Sequence, residues 1–392
     1  MRTCLTLLTL SVSLVVNAQE WGAVNSGVST SLRDVFFADP AHGWVVGDES
    51  TILVTTNGGA TWVPQSAAIS SVTLNSVFFT SLTDGWICGA SETLLKTVNG
   101  GSTWTVVSSG GTIGYEDLWF TSPQTGYIVG GSGLTGTVKR TIDGGTTWAS
   151  TDVDRVLEAV YFTASGQGWA CGSRGVIYHS TDGIGWTQQV APAVSQFSDL
   201  LNIFMLNDLE GWAVGNPVYM LHTVDAGTTW NNVDVGTGAG KTAVYFSSVQ
   251  TGWVSTTASL GGGNPIRGTT NGSTWSVVLV YGPTMHNMRF LNPSFGWAVG
   301  DLGTIFRYGS GNVSVEERVT APLVISPNPV ADRLTFRADV VDHVEVYSAT
   351  GEQVLRTKGM RSSIDVSTLP PGCYSIRVVA QDGYHTARFV KE

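Results

Sequence analysis

The sequence predicts an all-β chain, a seven-bladed β-propeller followed by a small β-sandwich. Three observations carry this. A short box ending in tryptophan recurs six times at intervals of 38 to 45 residues: Thr55–Trp62, Thr97–Trp104, Thr141–Trp148, Ser180–Trp186, Thr223–Trp230 and Thr269–Trp275. A Gly-aromatic pair recurs seven times in phase with it, 41 to 44 residues apart, from Gly43-Trp44 to Gly296-Trp297. Ahead of each pair stands a largely apolar run ending six residues before the glycine, from Val35-Phe36-Phe37 to Met288-Arg289-Phe290. Such a fixed period, with β-type residues between the markers, is the mark of a radial array of four-stranded sheets.

Each unit reads as an inner strand, a second strand opening at the Gly-aromatic pair, a third strand, the box as a turn, and an outer strand starting at the box tryptophan. The inner runs suit strands buried on both faces between neighbouring blades. The seventh unit stops at Thr304–Tyr308 without a box or an outer strand. Its missing piece lies at the other end of the chain. Trp21-Gly22-Ala23-Val24-Asn25-Ser26 stands 41 residues before Trp62 and matches Trp104-Thr105-Val106-Val107-Ser108-Ser109. The N-terminal segment is therefore expected to supply the last outer strand, closing the ring without free edges. In the box, hydroxyl and Asx side chains bond nearby backbone, glycine supplies positive φ, and the tryptophan covers an edge. A turn repeated in nearly every blade is scaffolding rather than a unique site.

The ends of the chain differ from this pattern. Met1–Ala18 has one Arg2, an apolar stretch Leu5–Val16 and small residues before Gln19, which predicts an export leader cleaved between Ala18 and Gln19. No other segment approaches membrane-span length. The propeller is assigned to 19–308 and a polar linker to 309–323. Residues 324–392 show period-two alternation between Pro/Gly turns, which predicts the sandwich.

The boxes resemble the Asp-box, or BNR, repeat of sialidases and sortilin-type receptors. The longer unit, running through G-W-x-x-G to T-x-D-G-G-x-T-W, most resembles the photosystem II stability and assembly factor propellers and their bacterial relatives. That resemblance implies a binding or assembly protein, and bacteria without photosystems carry such propellers on secreted proteins. Sialidases are implied to need three arginines, a Tyr-Glu pair and an Arg-Ile-Pro motif; here only Pro265-Ile266-Arg267 occurs, reversed, and 11 Lys or Arg lie between Gln19 and Ala321. Ser326-Pro327-Asn328-Pro329, Val346-Tyr347-Ser348, Leu369-Pro370-Pro371-Gly372 with Tyr374, and the final Phe389-Val390-Lys391 resemble the type A sorting domain of the type IX secretion system of Bacteroidetes. The expected location is therefore outside the cell or on its surface, with the type IX machinery as one partner.

Acidic residues outnumber basic ones 30 to 20, with no basic footprint for nucleic acid. Cys88 and Cys171 occupy the same strand position two blades apart, too far to bridge, and no metal-ligand spacing appears. No cofactor, metal or catalytic residue is expected, and a monomer is. Two groups of candidate binding residues stand out. At the channel mouth, ahead of the inner runs, lie Arg33, Asp34, Glu116, Asp117, Glu158 and His286; Glu116 and Glu158 are equivalent positions of adjacent blades, placed to meet a cation or basic group. Just before the boxes runs a row of Lys96, Arg140, His179, His222 and Arg307, interrupted by Val54 and Gly268. The assembly factor family resembles this row, whose arginines are implicated in partner binding; the plainer reading lays these side chains over neighbouring tryptophans.

Loop variation puts the binding face on the side of the mouth. The extensions Gly131–Thr137, Thr256–Asn264 and Thr187–Asp199 all fall there, whereas the turns on the opposite face are uniform. The function expected is a non-catalytic binding scaffold for a protein or glycan. The alternatives are a glycan hydrolase or lyase and an assembly chaperone for an exported complex.

Overall fold

The computed structural model describes residues 19–69, 71–107, 109, 113–191, 198–216, 220–257, 263–310, 325–336, 341–348, 353–358, 362–380 and 383–392. The leader with Ala18 and nearly all of the linker lie outside them. Contacts divide the chain into two compact units, Met1–Val313 and Ser314–Glu392. No helix among the described residues is long and apolar enough to cross a membrane.

The first unit is seven four-stranded antiparallel sheets. Blade one runs Leu32–Phe37, Gly43–Gly47, Ile52–Thr55 and Val63–Gln65 from the inside outwards, and blades two to six repeat it. Blade seven takes Met285–Asn292, Phe295–Gly300 and Thr304–Ser310 from its own stretch and Gln19–Asn25 as outer strand. Trp21 pairs with Tyr308 and Asn25 with Thr304, so the ring closes as the sequence predicts. The outer strands after a box start one residue beyond the tryptophan, at Val63, Thr105, Ala149, Thr187, Asn231 and Ser276, because the tryptophan's main chain still belongs to the turn.

One packing unit joins the blades. In every blade but the fifth, which has Met205 there, the last inner aromatic stacks on the second-strand tryptophan or tyrosine of the preceding blade and meets its own blade's outer tryptophan edge-on. Phe79 lies 3.5 Å from Trp44 and 5.9 Å from Trp104; Phe246 lies 3.6 Å from Trp212 and 5.9 Å from Trp275. In blade seven, Phe290 stacks on Trp253 at 4.8 Å and meets Trp21 edge-on at 5.7 Å. Trp21 thus stands where the other blades place a box tryptophan.

The G-W-x-x-G signature has two steric causes. A Cβ on Gly43 would lie 2.6 Å from the Phe37 ring, and one on Gly47 would lie 2.1 Å from the carbonyl oxygen of Ser31. The second clash recurs at Gly89, Gly172, Gly215 and Gly300, each against the backbone leading into an inner strand. At this end every inner strand also carries a β-bulge, which skips Arg33, Asn75, Glu116, Glu158, Leu201, Thr242 and His286 in turn. A bulge re-aims the skipped side chain, and these seven residues surround the channel mouth.

Of the three expected loop extensions, Gly131–Thr137 is a correction. It is not a loop but a lengthened hairpin, with Ser132 paired to Thr135 around a turn at Gly133-Leu134. Gly133 takes the positive φ, 64°, that such a tight reversal requires. The central parts of the other two, 258–262 and 192–197, lie outside the described residues.

The second unit has a three-stranded sheet (Ile325–Ser326, Arg333–Phe336, Ser363–Asp365) and a four-stranded one (Gln353–Lys358, Val341–Ser348, Gly372–Ala380, Gly383–Lys391). Their core includes Val330, Leu334, Val346, Ile376 and Phe389. The terminal residues belong to it: Lys391 pairs with Gly372, and the Glu392 amide donates to the Val330 carbonyl at 3.0 Å. Cys88 and Cys171 are buried and unpaired, and Cys373 is exposed.

Candidate channel site

Inner-strand side chains alternate between the blade interfaces and the channel. Below the seven bulged residues, the next channel-facing level holds Asp34, Ser76, Asp117, Ala159, Asn202, Ala243 and Asn287. Two residues further lies an aromatic level. These two levels, apart from Ala159 and Ala243, line a cavity of about 400 Å³.

Most of the mouth candidates are tied to partners within the chain. Arg33 forms a two-pronged pair with Asp48, both contacts at 3.0 Å. His286 sits 2.6 Å from Asp301, which also accepts from Ser31 at 2.9 Å. Asp34 is a clamp between blades: its oxygens accept from the Val35 amide at 2.7 Å, the Val77 amide at 2.9 Å and the Asn287 side chain at 2.7 Å. Asp117 repeats the device, accepting from the Leu118 amide at 2.8 Å and the Val160 amide of the next blade at 2.9 Å. Neither carboxylate is at leisure to hold a ligand, since releasing a buried amide would leave it unsatisfied.

Ser76 links the two clamps, its Oγ lying 3.1 Å from Asp34 and 2.8 Å from Asp117. One hydroxyl has one proton, which it can direct to either carboxyl group or share between them. Burial, followed by the Asp34 charge, pushes Asp117 up to about 7, while the Ser76 hydroxyl and the Val160 and Leu118 amides oppose the shift. Asp34 is also raised by burial, but the Val77 amide and the Arg289 charge oppose the shift.

This fixes a pH dependence. The folded Asp117 keeps its proton to about 7, whereas the unfolded one loses it near 3.8. Its contribution to stability is therefore full below the unfolded value and is lost as the pH rises through about 7. Asparagine is the residue blade seven uses here: Asn287 accepts from the Met288 amide at 2.8 Å and donates to Asp34 at 2.7 Å. Asp117→Asn is expected to gain on the parent in melting temperature between pH 5 and pH 8, followed by circular dichroism. A gap that stays constant across that range would refute the upward shift of Asp117.

Glu116 and Glu158 are what remains. Asn75 donates to Glu116 at 2.9 Å, and burial raises Glu116. Glu158 has no hydrogen-bond partner among the described residues, and burial, then Glu116 and Asp199, push it up to about 7.

The basic row lies elsewhere, and its members rest on the second-strand aromatics opposite them. Lys96 stands 4.7 Å over the Trp86 ring and donates to the Gly144 carbonyl at 2.9 Å. His179 and His222 stack on Trp169 and Trp212 at 4.5 and 4.7 Å, with side-chain contacts to Gln167 and Glu210 at 3.0 Å each. Arg140 donates to the Tyr127 hydroxyl at 3.3 Å, and Arg307 lies 5.7 Å from the Phe295 ring. Each reaches its own blade's aromatics, so the row is spread around the ring. The aromatic level of the channel, with its single Arg289, is not among the residues singled out from the sequence. Its signal was one basic residue in a column of otherwise aromatic repeats.

A family model described as photosynthesis system II assembly factor YCF48 matches residues 14–114 and 149–280. A second, described as secretion system C-terminal sorting domain, matches residues 324–392. Among curated proteins, the chain is similar to photosystem II stability/assembly factor HCF136, chloroplastic, of Guillardia theta. The two are 44% identical over 54 residues, 13% of this chain and 14% of that one, so the match spans a small part of the relative's length. Among solved structures it is similar to YCF48 bound to D1 peptide, with a TM-score of 0.62 and 21% identity over 74% of this chain and 96% of that one. It is also similar to the GH74 enzyme of Niastella koreensis, with a TM-score of 0.55 and 16% identity over 74% of this chain and 44% of that one. At these identities the structural likeness is one of fold alone.

Proposed function

Given that the chain belongs to the photosynthesis system II assembly factor YCF48 family and ends in a type IX secretion sorting domain that sends it to the surface or beyond, we propose that it is a non-catalytic scaffold that holds a protein partner at the channel mouth. The observation that carries this reading is Glu158, half-buried beside Glu116 and without a hydrogen-bond partner among the described residues. A lysine or arginine from a partner would supply a positive charge and hydrogen bonds, and would favour the ionised form of both carboxyl groups. That a relative of the same fold is seen as YCF48 bound to D1 peptide supports a polypeptide as the class of ligand.

A glycan hydrolase is the competing reading, and the same pair favours it. Two nearby carboxyl groups, one raised to about 7, are what general acid catalysis asks for. Against it, the other channel carboxylates are committed to clamping blades.

The test uses the exported protein and its Glu116→Gln, Glu158→Gln double variant on native envelope fractions and on a glycan panel. Capture of a protein by the parent, weakened by roughly tenfold or more in the double variant, is expected from losing a charged contact. Cleavage of a glycan by the parent but not by the variant would replace the proposal with the enzyme. Capture lost only on changing Lys96, Arg140 and Arg307 would move the site to the basic row.

A further inference from the structure

The aromatic level of the channel is built from Phe36, Phe78, Trp119, Tyr161, Phe204 and Tyr245, and in blade seven the corresponding residue is Arg289. Neighbouring rings touch in an unbroken series, with centroids 4.8, 5.4, 4.6, 5.3 and 5.1 Å apart. Arg289 stands where the series would close. Its guanidinium lies 4.9 Å from the Phe36 ring and 5.3 Å from the Trp119 ring, two blades further on, so it reaches into the channel rather than along the wall.

Its guanidinium thus lies over two rings of the belt. Arg289 has no salt bridge or hydrogen bond among the described residues, and neither does the hydroxyl of Tyr161 or of Tyr245. Burial pushes both phenols up, Tyr245 to about 12, while the Arg289 charge opposes the shift on each. Both therefore keep their protons and line the cavity as donors near the guanidinium. The negative charge that interacts with Arg289 is Asp34, one channel level away, whose oxygens already accept four donors at 2.7 to 3.1 Å. Burial and the Asp34 charge also raise Asp117 on that level, which favours its neutral form. Packing gives no reason for an arginine here, since six blades fill the position with a ring.

A guanidinium stacked between aromatic faces is weakly hydrated and keeps its N–H fork free for a planar, two-oxygen acceptor. The phenolic donors add to the same demand, and the belt offers ring faces to an apolar body. The cavity, about 400 Å³, lies within the range of small-molecule sites. The Asn202 side chain lines it one level up and has no hydrogen-bond partner among the described residues. It would stand roughly 7 Å along the strand from the aromatic level.

We infer that the channel is a binding site for a small aromatic carboxylate, whose carboxylate is held by Arg289, Tyr161 and Tyr245 and whose ring stacks in the belt. This goes beyond the mouth reading and does not depend on it: the partner there is cationic, the ligand here anionic.

Calorimetric titration of the exported protein with benzoate, benzamide and inorganic phosphate tests it. Benzoate is expected to bind saturably, with benzamide and phosphate weaker by about tenfold or more, because each lacks one half of the recognition. Arg289→Met is expected to lose about tenfold or more in benzoate affinity, Arg289→Lys less, since an ammonium keeps the charge but not the fork. Tyr245→Phe and Tyr161→Phe remove one hydroxyl each from a site otherwise intact. They are expected to lose affinity at an unchanged melting temperature, which keeps the test valid should Arg289→Met fail to fold. No binding of benzoate, equal binding of benzamide, tighter binding of phosphate, or tyrosine variants that titrate like the parent would each overturn the inference.

Discussion

Removing Gln19–Val28 from the exported protein is expected to destroy cooperative folding of the propeller rather than trim a tail. The segment's residues Gln19–Asn25 pair with Thr304–Ser310, and without them that strand becomes an open edge. Trp21 is 8% exposed and packs on Phe290 at 5.7 Å and Tyr308 at 5.2 Å. Truncating such a ring costs about 3–5 kcal/mol. The junction is also tight: a Cβ on Gly303 would lie 2.0 Å from the Val28 carbonyl oxygen. Trp21→Ala isolates the packing part and is expected to lower the melting temperature by roughly 6–20 °C, at about 2–4 °C per kcal/mol. The deletion is expected to do more, giving aggregation or a broad transition. A truncated protein that melts like its parent would falsify closure through the N-terminus.

Removing residues 324–392 is expected to abolish delivery to the outside while leaving the propeller folded. The ring is complete without this unit, because every blade has its four strands within residues 19–310. The sandwich has its own core and its own sheets. The truncated protein should therefore stay inside the envelope and melt at the parent's temperature. Fractionation and calorimetry together check this, and export of the truncated chain would contradict it. The protein recovered from outside is expected to start at Gln19 and to lack much of the segment after Leu323; intact Lys391-Glu392 on it would speak against processing.

Much of the architecture was legible because its causes are local and repeated. Thr55, Asn57 and Gly59 close their turn with bonds spanning two to four residues, the Thr55 hydroxyl accepting from the Gly59 amide at 2.9 Å. Such chemistry leaves the same letters in each blade, and the period counts the blades. The displaced outer strand was legible too, since Trp21 must meet the environment that shaped the other six tryptophans. The hairpin at Ser132–Thr135 was misread as a loop because its pairing depends on length and twist, which glycine-rich letters do not disclose.

The site was legible only as a set of positions. Glu116 and Glu158 read from the sequence as equivalent positions of adjacent blades, but nothing in the sequence distinguishes them from Asp34 and Asp117. That distinction rests on partners far away in the chain. Asp34 accepts from Asn287, 253 residues on, and Ser31 donates to Asp301, 270 residues on. Likewise Lys96 reads as a free cation until it is set over Trp86, and Arg289 as a lapse in an apolar run until Phe36 and Trp119 close around it. A repeated sequence determines by itself what every blade shares, because each blade meets the same neighbours. What a blade does alone is decided only when the ring closes, for then one unrepeated side chain faces six others across a common axis.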